Sequence, residues 1–277
     1  MSTEARAAVL RSGIAYAVLV AGALLTVAPL VLSAFTAMKT TEQFTTESAL
    51  APPHPATLDN FRTVLDQGLG RAVVVTALMT VCITGGQLIT SVLAAYAFAR
   101  TSFPGRDVLF WGYLATMMVP SVVTLVPLYL MFAKTGWLNT FWALVLPFVF
   151  GSPYAIFLLR QYFRAIPGEL IDAARMDGAA TPDILWNVVV PMSRPILATL
   201  TIITVVSQWN NFMWPLVAAS GPRWQVLTVA TANMQTRYNA QWTLVMAATT
   251  LAIAPLVVLF VLFQRHVLRS IAWTGLK

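Results

Sequence analysis

Charged residues are scarce in this sequence, and their scarcity is its most informative property. Asp, Glu, Lys and Arg together make up 10% of the 277 residues, whereas an ordinary soluble domain carries about 25%. Hydrophobic residues account for 58% of the chain. The composition therefore excludes an ordinary soluble domain and indicates an integral membrane protein.

The sequence is also poor in the residues that catalysis, redox chemistry and metal binding use. Its single cysteine, Cys82, excludes a disulfide within the chain, and its two histidines, His54 and His266, are predicted to lie on opposite sides of the membrane. It contains no G-x-S-x-G nucleophile motif, and Lys134-Thr135 lacks the glycines of a phosphate-binding loop. We therefore predict a protein that is not an enzyme and has no metal site or cofactor of its own.

Six stretches without a charged residue are each long enough to cross a membrane. They are 25 to 28 residues long, whereas about 20 apolar residues suffice to span the hydrocarbon core. Four prolines, Pro120, Pro127, Pro147 and Pro153, are expected to kink the third and fourth spans. We predict an all-α polytopic protein that forms a single transmembrane domain over residues 1–277, with six helices near residues 12–38, 72–99, 108–133, 135–159, 195–222 and 238–264.

The basic residues indicate how the chain is oriented. When both termini are placed in the cytoplasm, eleven Lys and Arg residues fall on the cytoplasmic side and six on the other side. An excess of basic residues on the cytoplasmic side is the usual arrangement. We therefore predict a multi-pass protein of the cell membrane, surrounded by lipid, with cytoplasmic N- and C-termini. The net charge of +7 is assigned to this topology and not to nucleic-acid binding.

Residues 166–194 form a polar segment, rich in helix start and stop signals, between long apolar runs. Pro167 suits the first turn of a helix, and Gly178 can adopt the left-handed conformation that ends one. Thr181, followed by Pro182, is predicted to cap a second helix. The segment is therefore predicted to be two short cytoplasmic helices joined by a tight bend.

A polar cluster interrupts the fifth predicted span. It combines amide side chains, which are costly against lipid, with tryptophans. One interpretation is that these residues hold the helices together through hydrogen bonds. The other is that they line the path of a polyhydroxylated solute, with the indole rings stacking on sugar faces. The candidate path residues are Gln208, Trp209, Asn210, Asn211 and Trp214.

Residues 219–241 form the second long segment on the predicted outer side. A loop of this length with its own apolar residues is typical of a functional segment. Trp224, Met234 and Tyr238 are spaced along it, and exposed apolar surface usually marks an interaction site. The alternative is that the segment folds down as a lid on the helix bundle.

The polar segment 166–194 resembles the EAA signature of ABC-importer permeases, E-A-A-x3-G-x9-I-x-L-P. It carries Asp172-Ala173-Ala174, then Gly178 after three residues, and then Val188-x-Val190-Pro191 after nine more. The spacing is kept throughout. Asp stands for Glu, and Val stands for both Ile and Leu, so charge and apolar character are retained.

Further stretches resemble the maltose-type permeases of carbohydrate importers, specifically the six-helix member of the permease pair. Residues 96–106 are similar to the AYAFAR-x-x-FPGR turn of that family, and Trp209-Asn210 matches its WN. The ending from Gln264-Arg265 to Gly275-Leu276-Lys277 resembles the QR...G-x-K tail, with Ser270 where Gly is usual. The resemblance covers nearly the whole chain.

The resemblance implies a type I ABC importer permease fold and a set of partners. These are a second permease, a dimer of ATP-binding cassette subunits that hold ATP and Mg, and an extracytoplasmic solute-binding protein. The substrate would be a carbohydrate or related polyol, and Trp224, Met234 and Tyr238 would contact the binding protein. The segment 166–194 would couple to the ATPase through Glu169, Asp172, Ala173, Ala174, Asp177, Gly178 and Pro191.

A transporter or channel driven by an ion gradient is the competing hypothesis. Such a protein needs an ionisable residue within the membrane as a coupling site. The six predicted spans contain no Asp, Glu, Lys or Arg. The sequence therefore favours the ATP-driven importer.

Overall fold

The computed structural model describes the backbone of residues 3–237 and 241–274, and the side chains of residues 12–236 and 241–262. Throughout this part of the chain the regular structure is helical, which confirms the all-α prediction. The α-helices are α1 (Thr3–Ala37), α2 (Thr41–Thr46), α3 (Asp59–Val64), α4 (Gly70–Arg100), α5 (Arg106–Ala115), α6 (Ser121–Lys134), α7 (Phe141–Val145), α8 (Pro153–Ala165), α9 (Gly168–Met176), α10 (Thr181–Ile184), α11 (Val190–Met192), α12 (Arg194–Trp209), α13 (Met213–Ala218), α14 (Leu227–Arg237) and α15 (Trp242–Thr274).

Three helical stretches in the described residues are long and apolar enough to cross a membrane: Ser12–Ala37, Asp59–Arg100 and Trp242–Leu262. Two bent pairs raise the number of candidate spans to five. Arg106–Met118 meets Ser121–Lys134 at 97°, and Thr181–Met192 meets Arg194–Trp209 at 79°. The protein is therefore a polytopic membrane protein by length and composition.

The spans predicted around prolines are interrupted instead of continuous. Pro120 lies at the sharp bend that precedes α6, as its lack of an amide hydrogen predicts. The stretch predicted as the fourth span, 135–159, is divided between α7 and α8, and neither of these helices is long enough to cross alone. The fifth, 195–222, is divided between α12 and α13 at residues 210–212.

The chain divides into two compact units. The first consists of Met1–Gly70 and Thr231–Pro255, and the second of Arg71–Ala230 and Leu256–Lys277. In the first unit, the segment after α1 is organised around Lys39, which is 1% exposed and donates from Nζ to the carbonyl of Ser48 at 2.9 Å. Asn60 adds hydrogen bonds from its amide nitrogen to the carbonyls of Ala37 and Lys39. These bonds fold the predicted first outer segment compactly.

Among the described residues of the second unit, three groups of buried apolar side chains can be distinguished. The largest joins α4, α5 and α8 to segment 166–194 and includes Phe110, Leu159, Phe163 and Ile171. A second group packs the start of α4 against α7 and the stretch before α14. The third surrounds Trp214. These groups hold two of the regions in which the sequence predicts function, the polar segment and the interrupted fifth span.

Candidate functional site

The bend in segment 166–194 has the geometry that its glycine predicts. Gly178 adopts φ +83°, a left-handed conformation that glycine tolerates without steric cost. Its amide donates to the carbonyl of Arg175, and the amide of Ala179 donates to the carbonyl of Ala174, both at 3.0 Å. These bonds occupy carbonyls that the end of α9 leaves without helical partners. The chain therefore turns sharply at Gly178 before α10 begins.

The second helix of the segment begins one residue earlier than predicted. Ala180 holds the extended cap conformation, whereas Thr181 is already helical, so the prediction of Thr181 as the N-cap is corrected. The cap is closed by the Asp183 carboxylate, which accepts from the Ala180 amide at 3.0 Å. A carboxylate in the first turn also complements the positive end of the helix. Asp183 thus supplies the polar contact that the sequence assigned to Thr181.

One face of segment 166–194 is anchored in the second unit. Ile171, Ile184, Leu185 and Val189 are each no more than 3% exposed and belong to the largest apolar group. The buried positions fix the segment to the ends of α4 and α8. The opposite face is consequently held in one orientation toward the surroundings.

The predicted coupling residues lie mainly on that opposite face. Glu169, Asp172, Ala173, Asp177 and Gly178 are exposed, and Asp172 forms an ion pair with Arg175 at 3.2 Å. Ala174 and Pro191 are partly buried. Large apolar side chains accompany the charges on the surface: Met176 is 89% exposed, Trp186 46% and Leu170 44%. The segment therefore presents a mixed apolar and acidic surface.

Two arginines that the sequence analysis did not predict as functional residues make defined contacts beside the segment. Arg100, the last residue of α4, donates from Nε to the carbonyl of Phe163 at 3.0 Å and also donates to the carbonyl of Ile166. Arg160, on α8, donates to the carbonyl of Phe98 at 3.3 Å and to Asp107 at 3.1 Å. A helix end that needs donors for its last carbonyls is the signal that could have identified them.

Arg160 lies in an unusually enclosed environment for a charged group. It is 6% exposed, and its guanidinium carbon lies 3.9 Å from the centroid of the Phe110 ring. Burial lowers the pKa of Arg160 from its ordinary value; the neighbouring Arg164 acts in the same direction, and the Asp107 carboxylate opposes the shift. The contacts to Phe98, Phe110 and Asp107 together compensate for removing this charge from water.

The polar cluster of the fifth predicted span lies where the helix is broken. Helix α12 ends at Trp209, and Asn210 is the residue that follows it. Gln208 is buried, and its side-chain oxygen accepts from the amide of Asn211 at 3.4 Å. Asn210 is exposed and donates to the carbonyl of Val206. The structure therefore brings the three amide side chains together at one helix end.

The two tryptophans of the cluster are both largely buried in this chain. Trp209 is 8% exposed and Trp214 is 4% exposed. The indole N–H of Trp214 donates to the carbonyl of Ala143 at 2.8 Å, and its ring packs edge-on against Phe132. Trp214 thus supports the break by connecting α13 to α7. A role of either ring in stacking on a sugar stays a prediction.

The described part of segment 219–241 contains helix α14. At the start of this helix, Val226 is buried in the second apolar group. Leu227 is also buried, and its backbone amide donates to the hydroxyl of Thr76 at 2.8 Å. This packing matches the lid alternative for the stretch before α14. Trp224 is partly buried against Phe141.

The predicted contact residues of this segment differ in their surroundings. Met234 is 7% exposed, so its side chain presents little surface to a partner. Tyr238 lies outside the described residues. Contact with a binding protein through Trp224, Met234 and Tyr238 stays a prediction.

Comparison with known proteins identifies a family and several proteins that this chain resembles. Residues 87–273 match the model of a family described as "Binding-protein-dependent transport system inner membrane component". The arabinooligosaccharides transport system permease protein of Halalkalibacterium halodurans is 32% identical over 231 residues, which is 81% of each chain. The sn-glycerol-3-phosphate transport system permease protein of Yersinia pestis bv. Antiqua is 36% identical over 195 residues, 70% of this chain and 69% of that one.

A solved structure resembles nearly the whole chain. It is the crystal structure of a bacterial ABC transporter involved in the import of the acidic polysaccharide alginate. The two chains superpose with a TM-score of 0.82 at 25% sequence identity, over 96% of this chain and 98% of the other. The fold is therefore that of an ABC importer permease.

Proposed function

Because this chain belongs to the family of binding-protein-dependent transport system inner membrane components, we propose that it imports a carbohydrate or related polyol as one permease subunit of an ATP-driven complex. A member of this family is a transport component and not itself an enzyme. The two curated relatives are permeases for arabinooligosaccharides and for sn-glycerol-3-phosphate, both of which are polyhydroxylated. This similarity disfavours the alternative of an ion-gradient-driven transporter or channel.

The exposed surface of segment 166–194 is the observation that carries the proposal. Met176 and Trp186 are large apolar side chains on a segment that is polar enough to lie outside the membrane. Apolar surface that lipid does not cover usually marks a protein interface. Glu169, Asp172 and Asp177 surround it with negative charge. We therefore assign this surface to the ATPase partner, which supplies ATP, Mg²⁺ and the energy of hydrolysis.

The amide cluster at the end of α12 is the proposed contact with the solute. An amide side chain both donates and accepts hydrogen bonds, as a hydroxyl group does, so it suits a polyhydroxylated molecule. Asn210 is exposed at the break, while Gln208 and Asn211 bond each other behind it. Asn210 would therefore meet the solute first, with the other two amides setting its surroundings.

Helix α1 supports the proposal of a second permease. The most apolar part of Ser12–Ala37 has no buried residue. Such a helix needs lipid or another membrane protein around it. We assign one side of it to lipid and the other to the second permease, with both chain termini in the cytoplasm and the solute-binding protein on the opposite side of the membrane.

The test changes the bend of segment 166–194 without changing the helix bundle. Gly178→Pro removes the amide that bonds Arg175 and disfavours the positive φ, whereas Gly178→Asn keeps the amide and tolerates that conformation. We expect Gly178→Pro to abolish uptake in a membrane-assembled complex and Gly178→Asn to retain most of it. Uptake of radiolabelled sn-glycerol-3-phosphate and arabino-oligosaccharides measures the effect. Undiminished ATP-driven uptake by an assembled Gly178→Pro complex would contradict the proposal.

A further inference from the structure

Next to the first residue of segment 166–194, helices α4 and α8 each carry an arginine that contacts the end of the other helix. Helix α4 ends at Arg100 and helix α8 ends at Ala165. Arg100 donates to carbonyls at the end of α8, and Arg160 on α8 donates to the carbonyl of Phe98 near the end of α4. Each guanidinium therefore satisfies the carbonyls, and complements the negative end, of the other helix.

Helix α5 also contacts one of these arginines, Arg160. Asp107, in the first turn of α5, forms an ion pair with Arg160 at 3.1 Å. Phe110, one turn later and fully buried, lies beneath the Arg160 guanidinium at 3.9 Å. Arg106 donates to the carbonyl of Thr101 at 3.1 Å and so closes the turn between α4 and α5. The ends of three helices are thus joined by charge-assisted hydrogen bonds, which are stronger than neutral ones.

The hydrogen bonds of Arg100 also reach segment 166–194 itself. Ile166, whose carbonyl accepts from Arg100, is the first residue of segment 166–194. The side chain of Ile166 is 5% exposed and packs with Ile171 and Ile184 of that segment. A displacement of the segment therefore acts on the Arg100 guanidinium, and through it on the end of the 31-residue helix α4.

From this arrangement we propose that Arg100 and Arg160 are positioning residues that make segment 166–194 and helix α4 move as one body. The proposal rests on the proposed function of the segment as the site of ATPase coupling. A topology signal would require only positive charge on the cytoplasmic side, which the exposed Arg164 on the same helix also provides. Arg100 is partly buried and Arg160 is buried, and each contacts two separate partners, which exceeds that requirement.

The first test measures the link without requiring transport. Spin labels are placed at two exposed positions, Ser102→Cys and Asn187→Cys, in a Cys82→Ser background of the assembled complex, and the distance between them is measured by pulsed electron spin resonance. The wild-type arginines should give a narrow distance distribution that is the same with and without ADP and vanadate. Arg100→Gln and Arg160→Gln should broaden it, while Arg164→Gln, the matched control on α8, should not. Narrow distributions in both test variants would overturn the proposal.

The second test measures coupling in reconstituted complexes. The readout is the number of solute molecules imported per ATP hydrolysed, with radiolabelled sn-glycerol-3-phosphate or arabino-oligosaccharide, whichever the wild-type complex imports. We expect the ratio to fall about tenfold in Arg100→Gln, within the usual range for coupling between two sites. Uptake and hydrolysis that decline in parallel, with an unchanged ratio, would show a merely structural role and overturn the proposal.

A conservative variant separates geometry from charge. Arg100→Lys keeps the positive charge, but a single ammonium group lacks the fork that reaches both Phe163 and Ile166. We expect it to restore less than half of the lost coupling, and complete restoration would overturn the proposal. Failure of the proposed function is distinguishable, because it would appear as a wild-type complex that imports neither probe while the distance measurements still report on the link.

Discussion

The tight packing of Gly86 against Val149 gives the sharpest prediction about stability. Gly86, in α4, faces the irregular stretch between α7 and α8. A methyl group added there would lie 2.3 Å from the Val149 side chain and 2.8 Å from the Val149 carbonyl oxygen. Its neighbour Gly85 lies in the same helix, and a methyl group added there would meet nothing within 4 Å. Gly86→Ala and Gly85→Ala therefore form a matched pair.

The expected magnitude follows from what the two variants share. Both replace glycine by alanine within a helix, which favours the helix by up to about 1 kcal/mol. Only Gly86→Ala forces backbone and side-chain shifts, and overpacking of this kind costs about 1–3 kcal/mol. The helix contribution cancels in the difference, so Gly86→Ala should be less stable than Gly85→Ala by about 1–3 kcal/mol.

Thermal unfolding in detergent, followed by tryptophan fluorescence, measures this difference. For a chain of about this size each kcal/mol shifts the midpoint by about 2–4 °C, so the two variants should differ by several degrees. The Gly85→Ala midpoint should lie at or slightly above that of the unmodified protein. If the two variants differ in the free energy of unfolding by less than about 0.5 kcal/mol, the close contact between Gly86 and Val149 is refuted.

Two further predictions concern the interrupted helices. Trp214→Phe keeps an aromatic ring but removes the donor to the buried Ala143 carbonyl, and should lower stability by at least about 1–3 kcal/mol in the same unfolding measurement; an unchanged midpoint would count against that bond. Replacing residues 225–237 by a Gly/Ser linker removes buried Val226, Leu227 and Val229, so it should cost several kcal/mol of stability. Loss of binding-protein-stimulated ATPase activity at unchanged stability would instead favour a role of this segment in contacting the binding protein.

Local signals in the sequence predicted local features well. The bend at Gly178 and the break at Pro120 follow from properties of single residues, positive φ and a missing amide hydrogen, that act within one helical turn. Three of the six long uncharged runs correspond to long apolar helical stretches, Ser12–Ala37, Asp59–Arg100 and Trp242–Leu262, whereas the other three are divided between shorter helices. The start of α10 was misplaced by one residue because Asp183 caps it from inside the helix.

Contacts between distant residues could not be predicted in the same way. Arg100 and Phe163 are 63 positions apart, and nothing near either residue specifies the bond between them. The outer segment 219–241 shows a different ambiguity. Apolar residues such as Val226 and Leu227 look alike in sequence whether they are exposed for a partner or packed inside, and here they are packed. Only the fold decides between these alternatives.

The missing amide hydrogen of proline helps to explain several long-range hydrogen bonds at the helix breaks. A proline has no amide hydrogen, so it leaves the carbonyl four residues earlier without its helical donor. Pro147 leaves the carbonyl of Ala143, which accepts instead from the Trp214 indole. The carbonyl of Asn211, which lies just before α13 and precedes Pro215, accepts from the hydroxyl of Thr228.

Pro167 extends the rule to the base of segment 166–194. It has no amide to offer the Phe163 carbonyl, which accepts from the Ile166 amide at 3.3 Å and from Arg100. In each of these places a side chain from another element donates to a carbonyl that precedes a proline, so each break becomes a tertiary connection. Trp214 and Arg100 are committed to these connections, whereas Asn210 lies exposed beside the break between α12 and α13. The structure thus separates the side chains that hold the interrupted helices from Asn210, the residue that we propose meets the solute.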